Sequence, residues 1–133
     1  MNIESNKTII NHSQKEVYNY LMDMNNVQGL LPEGKFTEWK GDYDSCSFKM
    51  QGFGLTLTKD SSVPHSEIKL VSGDDSPIDF DLNIYISENG ESESEAFLIC
   101  EARVNAFLKM MIEKPLSSLF NHMSDKLSRV EMK

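Results

Sequence analysis

The chain has 133 residues, 26% of them charged, and a formal net charge of −8. A length of this order suits a single domain over residues 1–133 that buries roughly two-thirds of its unfolded surface, so no disulfide, metal or cofactor is needed to hold it together. The acidic balance disfavours nucleic acid and anionic membrane surfaces, because both reward clustered Lys and Arg.

Residues 1–10 become rich in β-branched side chains toward Ile10 and predict a first strand. Ser13 to Glu16 has the S-x-x-E form of a capping box, so a helix starts at Ser13 and presents Val17, Tyr20, Leu21 and Met24 as its apolar face. Asn25 and Asn26 break it. A second short helical turn follows at 27–31 and is stopped by Pro32, since the residue before a proline is pushed out of the helical region.

From Lys35 the period changes to two, with strands expected at 35–39, 43–51, 54–59, 67–71, 79–87 and 95–104. Phe80, Leu82, Ile84 and Ile86 share one face and Asp79, Asp81 and Asn83 the other. That clean alternation is the habit of an antiparallel sheet with one buried face. Glu91, Glu93 and Glu95 follow Asn89-Gly90 and read as the solvated tip of a hairpin.

Residues 105–130 carry the long helix. Leu108, Met111, Ile112, Pro115, Leu116, Leu119, Phe120, Met123, Leu127 and Val130 follow helical spacing, with Asn105 as N-cap. Phe107 and Met110 widen the apolar stripe at its start. Pro115 removes one backbone hydrogen bond and is expected to kink the helix. The sum is an α+β fold, a curved seven-stranded antiparallel sheet gripping a long C-terminal helix, with two short helices after the first strand.

At this point the chain resembles the START-like (SRPBCC) superfamily, which includes birch-pollen-allergen-like and bacterial polyketide cyclase-like proteins. The resemblance rests on the element order and on three phrases. They are SQKEVYNYL at Ser13 to Leu21 with Met24-Asn25-Asn26, FKMQG at Phe48 to Gly52, and NAFLKMMIEKPL at Asn105 to Leu116. Where family members often carry Asn-Pro, this chain has Asn105-Ala106. The resemblance implies the helix-grip fold and a small hydrophobic ligand, such as a lipid, sterol or polyketide, held between sheet and helix. Other branches imply a cyclase or dehydratase enzyme, or a protein-interaction domain like the chaperone activators. The last would use Phe97 and Ile99 on the outer face of the final strand.

One helix cannot easily fill the concave face of seven strands, so a preformed cavity of order 300–1,000 Å³ is expected. Its sheet-side lining would be Trp39, Phe48, Met50, Phe80, Leu82, Ile84 and Leu98. Its mouth would be ringed by Val27, Leu30 and Leu31 and by loops at 52–54 and 74–77. Phe107, Met110 and Met111 on the first half of the helix would touch the ligand, while the half from Leu116 to Val130 would be plain core.

Catalytic chemistry has little to stand on. His12, His65 and His122 have no metal-pair spacing, and no nucleophile arrangement accompanies them. Tyr20, Tyr43 and Tyr85 are the least excluded polar groups. Glu101 and Arg103 share a strand face within reach of each other and are expected to be exposed to solvent, as Asp79 and Asp81 are. Cys46 and Cys100 read as free buried thiols. The N-terminus lacks a signal-peptide pattern and no apolar run reaches about 20 residues, so a cytoplasmic monomer or homodimer is expected.

Overall fold

The two-residue alternation closes into one curved antiparallel sheet in a computed structural model that describes residues 1–73, 76 and 78–132. In chain order the elements are β1 (Asn2–Glu4), β2 (Thr8–Ile10), α1 (Gln14–Met22), a 3₁₀-helix (Met24–Leu30), β3 (Thr37–Gly41), β4 (Ser45–Met50), β5 (Phe53–Val63), β6 (Glu67–Ser72), β7 (Asp79–Glu88), β8 (Ser94–Arg103) and α2 (Ala106–Leu127). The strand order is β1-β8-β7-β6-β5-β4-β3, and β2 also pairs with β8. The sheet grips α2, so the helix-grip architecture stands as expected.

The sheet has eight strands rather than seven because Ser5 interrupts the first one. Its backbone N–H donates to the Leu98 carbonyl at 2.8 Å, while its hydroxyl accepts from the Leu98 N–H at 2.8 Å. A side chain thus stands in for one rung of the ladder, and the chain divides into β1 and β2. The break is also where α2 is fastened. Ser124 donates to the Asn6 carbonyl at 2.6 Å, and the Asn6 N–H donates to Asn121 Oδ1 at 2.8 Å.

β5 runs past the strand end expected at residue 59, because a register shift between Lys59 and Ser61 absorbs the polar interruption at Asp60 and pairing with β6 resumes. The reversal falls instead at His65, whose φ is 71°. β3 is offset from the expected 35–39. The second short helix is a 3₁₀-helix that starts at Met24 and includes Asn25 and Asn26, because the Asp23 carboxylate accepts from Asn25 N–H at 3.0 Å and starts a new turn there.

Two sequence-level caps form as drawn. Ser13 Oγ accepts from Glu16 N–H at 3.2 Å and Ser13 N–H donates to the Glu16 carboxylate at 3.3 Å. Asn105 Oδ1 accepts from Leu108 N–H at 2.8 Å.

The core lies on the concave face. Ile68, Leu70, Phe80, Leu82, Ile84, Leu98 and Cys100 point inward from the middle strands and are all buried. α2 meets them with Ile112, Leu116, Leu119, Phe120, Met123 and Leu127. The remaining volume is taken by α1 and the 3₁₀-helix, whose Val17, Tyr18, Leu21, Met24, Val27 and Leu30 are buried together with Leu31. Lys59 ties this group to the sheet. Its ammonium donates to the Met22 carbonyl at 2.7 Å and lies 3.5 Å from the Tyr43 ring centroid.

Candidate functional site

α2 determines where a ligand can go, and its two halves differ. At about 100° per residue, the buried run Ile112, Leu116, Leu119 and Met123 keeps one phase along the whole helix. Phe107 and Met110 fall on the opposite side and Met111 at its edge. They are 70%, 84% and 49% exposed. The expectation that these three line the cavity is therefore corrected: they form an apolar patch on the outer surface. Neighbouring Met111 and Pro115 sit on the edge between the two faces, with Pro115 half-buried.

Beneath that edge lies an apolar cleft. The β4–β5 hairpin supplies Met50, Gln51, Phe53 and Leu55, the start of β7 is preceded by Ile78, and α2 supplies Ile112, Pro115, Leu116 and Leu119. The hairpin is tight because Gln51 and Gly52 both adopt positive φ, 50° and 81°, the geometry of a two-residue turn that matches strand twist. Its free volume is about 10 Å³, room for about one water molecule. Between the β4–β5 hairpin and α2 the described residues thus leave no open space of the expected size, roughly 300–1,000 Å³. The concave face is covered by α1 and the 3₁₀-helix as well as by α2, with Val17, Leu21, Met24, Val27 and Leu30 all buried.

Of the sequence-derived candidates, Met50 lines this cleft. Val27, Leu31, Phe48, Phe80, Leu82, Ile84 and Leu98 are buried core, and Trp39 stacks on Phe48 at 6.2 Å between ring centroids. None of these eight is among the residues that wall the cleft. Asp74, Asp75 and Pro77, expected at the mouth, lie outside the described residues. Leu116 and Leu119, expected to be plain core, line the cleft from the helix side. The signal for them was present: carrying the phase of the core half backward by steps of four leads from Leu116 to Ile112 rather than to Met111.

Among the described residues no titratable side chain lines the cleft, and Gln51 is its one polar residue. Tyr43 is 54% exposed beside Lys59. Tyr85 stacks on Phe97 on the outer sheet face, 5.3 Å between centroids, and Lys7 lies 5.4 Å over Phe97. The Phe97 and Ile99 face is therefore half-covered rather than bare. His12 contacts Glu16 at 3.4 Å, and His65 meets Tyr18 edge-on. Among the described residues there is no cluster of His, Cys, Asp or Glu that could hold a metal ion.

The outer face of β7 and β8 carries a charge network. Arg103 pairs with Asp79 at 2.7 and 2.9 Å and reaches Asp81 at 3.2 Å. Arg103 pairs with Asp79 rather than with Glu101, because Asp79 lies directly opposite it across the ladder and cross-strand neighbours meet more closely than residues two apart on one strand. The hydrogen bonds from Arg103 hold the Asp79 carboxyl below its ordinary range. Cys46 and Cys100 are free and buried, and burial pushes both thiols up to about 12.

This geometry is the helix-grip fold, and solved structures share it. A point mutant of Thalictrum flavum norcoclaurine synthase in complex with a transition-state analogue is similar at 13% identity and TM-score 0.72, with 97% of this chain and 92% of that chain covered. A START superfamily protein from Mycobacterium smegmatis is similar at 8% identity and TM-score 0.67, covering 98% and 99%. The di-domain aromatase/cyclase BexL from the BE-7585A biosynthetic pathway is similar at 11% identity and TM-score 0.65, covering 97% of this chain and 45% of that one. No family model matches the chain, and no curated protein does. Among the described residues no helix is long and apolar enough to cross a membrane.

Proposed function

We propose that the protein binds a small hydrophobic molecule in the cleft between the β4–β5 hairpin and the first half of α2, by opening that cleft rather than by offering a ready-made cavity. The observation that carries this reading is the continuity of apolar surface. Phe107, Met111 and Pro115 are spaced i, i+4, i+8, so they form a stripe from the outer face to the mouth, where Met50 and Phe53 take over.

The opening is energetically modest. α2 approaches β1, β2, β8 and the 3₁₀-helix, and the ties at Asn121 and Ser124 hold its second half. Pro115 removes the hydrogen bond that would otherwise close on the Met111 carbonyl. The main anchor of the first half is Ile112, fully buried. Exposing one such side chain costs about 1.5–3 kcal/mol, which leaves an open population between roughly one in ten and one in two hundred. A ligand must overcome that cost, and a tight wall of Leu and Ile favours a single ring or short chain over a sterol.

The experiment is a titration with N-phenyl-1-naphthylamine, a neutral apolar fluorophore, on the native protein and on Met50→Trp. Saturable binding to the native chain, lost in Met50→Trp with its far-UV circular dichroism unchanged, is the expected result. No saturable binding, or equal binding to both proteins, refutes the proposal.

A further inference from the structure

A second cleft lies at the far end of α2, between the 3₁₀-helix, residues 31–36 and Lys126, and it stands independently of the function proposed above. Its volume is about 430 Å³, within the range of small-molecule sites. The floor is apolar and aromatic. Leu31 is buried, and Phe36 packs edge-on against Trp39 and Phe48 at 6.5 and 6.4 Å between centroids. The wall is fixed, since Asn26 Nδ2 donates to the Tyr20 carbonyl at 2.8 Å and the Asp23 carboxylate caps the 3₁₀-helix.

Gly29 is the informative residue. Its φ is not in the left-handed region, and a Cβ placed there would meet only the Tyr20 hydroxyl, at an ordinary 3.5 Å. Neither backbone geometry nor crowding demands a glycine. What its bare Cα does is leave the cleft open above that hydroxyl. Tyr20 makes no side-chain hydrogen bond among the described residues, and burial pushes its pKa up, so it remains a donor at neutral pH. Two opposite charges also line the cleft, Lys126 and Glu33. Among the described residues neither belongs to an ion pair, with the other or with any third group.

We infer that this cleft binds a small zwitterionic aromatic molecule of the amino-acid type. The ring lies on Leu31 and Phe36, the carboxylate faces Lys126, the ammonium faces Glu33, and the Tyr20 hydroxyl donates to the carboxylate or to a ring substituent. Opposite charges that do not satisfy each other, an apolar floor from Leu31 and Phe36 in the same cleft and a free hydroxyl match the three parts of such a molecule. An uncharged apolar ligand would use the floor and leave both charges without partners.

The test is an amide ¹H–¹⁵N titration of the full chain with three probes: L-tryptophan, indole-3-propionate, which lacks the ammonium, and tryptamine, which lacks the carboxylate. Tryptophan is expected to give saturable shifts at Gly29 and Asn26. Each single-charge analogue should bind about tenfold more weakly, the loss of one charge-assisted contact. Gly29→Leu should abolish the shifts while its dispersed spectrum reports an intact fold, and Lys126→Met should weaken tryptophan by about tenfold. If Gly29→Leu fails to fold, Lys126→Met decides alone. Equal affinity for all three probes, unchanged affinity in Lys126→Met, no saturable shift with millimolar tryptophan, or shifts confined to Met50, Phe53 and Ile112 would each overturn the inference.

Discussion

Leu119→Ala tests whether the helix side of the apolar cleft is packed as tightly as its small free volume implies. Leu119 is 3% exposed and lines the cleft. The substitution removes roughly three methyl-sized groups at about 0.8 kcal/mol each, or about 2.4 kcal/mol of transfer free energy. If the walls hold, a void of about 60 Å³ adds about 1.4 kcal/mol at 24 cal/mol per Å³. The expected loss is therefore about 2.4 kcal/mol if the site collapses and about 3.8 kcal/mol if it does not. With a urea m-value of about 2 kcal/mol/M, the midpoint falls by about 1.2–1.9 M. The same experiment carries an internal control, because Met111→Ala changes an outward residue and should stay within about 0.5 kcal/mol. The rigid-wall case has a further signature. The enlarged void, about 70 Å³, is too small for benzene but would admit a xenon atom and regain about 1.4 kcal/mol at ten times its Kd. A loss below about 1 kcal/mol in Leu119→Ala, or equal losses in the two variants, would mean that α2 is not seated as described.

Three further outcomes follow from side chains outside the cleft. Asp79 has its folded-state pKa lowered by hydrogen bonds from Arg103, so its contribution to stability is present above the unfolded carboxylate value of about 3.9 and is lost as pH falls through the lower folded value. Arg103→Met should be less stable than the native chain at neutral pH and equal to it near pH 2, and a gap of constant size in urea midpoints across that range would contradict the pairing. Cys46 and Cys100, with thiols pushed up to about 12, should resist an aromatic disulfide reagent at about pH 8 until the protein is unfolded, and rapid labelling of the native protein would count against their burial. Ser13→Ala removes the capping hydroxyl of α1 and should lower stability by about 1 kcal/mol; no change in the thermal midpoint would show that the cap is replaced by solvent.

Local chemistry was legible where it acts on neighbouring residues. The capping box at Ser13 and Glu16, the N-cap at Asn105 and the alternation of Phe80 to Ile86 all report on residues a few positions apart, and each formed as its pattern dictates. The misplacements came from long-range partners. Ser5 divides the first strand because of Leu98, 93 positions away, and nothing in the local sequence distinguishes that serine from one in an ordinary strand. Arg103 chooses Asp79 over Glu101 because of the β7–β8 register, which a same-strand spacing argument does not contain. The small free volume of the cleft has the same origin, since the volume claimed by α1 and the 3₁₀-helix is a property of how separate elements dock.

The orientation of α2 was recoverable from sequence in a way that the breadth of its apolar face obscured. Between Phe107 and Ile112 five of six residues are apolar, so that window alone admits almost any rotation about the helix axis. Helical phase is not set window by window, however, because one rigid helix carries one phase along its length. The half from Leu116 to Leu127 has a narrow stripe and fixes that phase, and extending it through Ile112 turns Phe107, Met110 and Met111 outward, as found. A Met-rich widening at the end of an otherwise narrow stripe is therefore a surplus of apolar surface beyond what the core can cover. Here that surplus adjoins the one place where the helix loses a backbone hydrogen bond, at Pro115, and where the sheet meets it with a tight hairpin rather than a deep strand. Exposed apolar surface, a weakened turn and a shallow seat at a single point favour opening at that point over opening anywhere else along α2. A hydrogen-exchange profile with its least protected turn beyond Leu116 would separate the three features and remove the basis for that ordering.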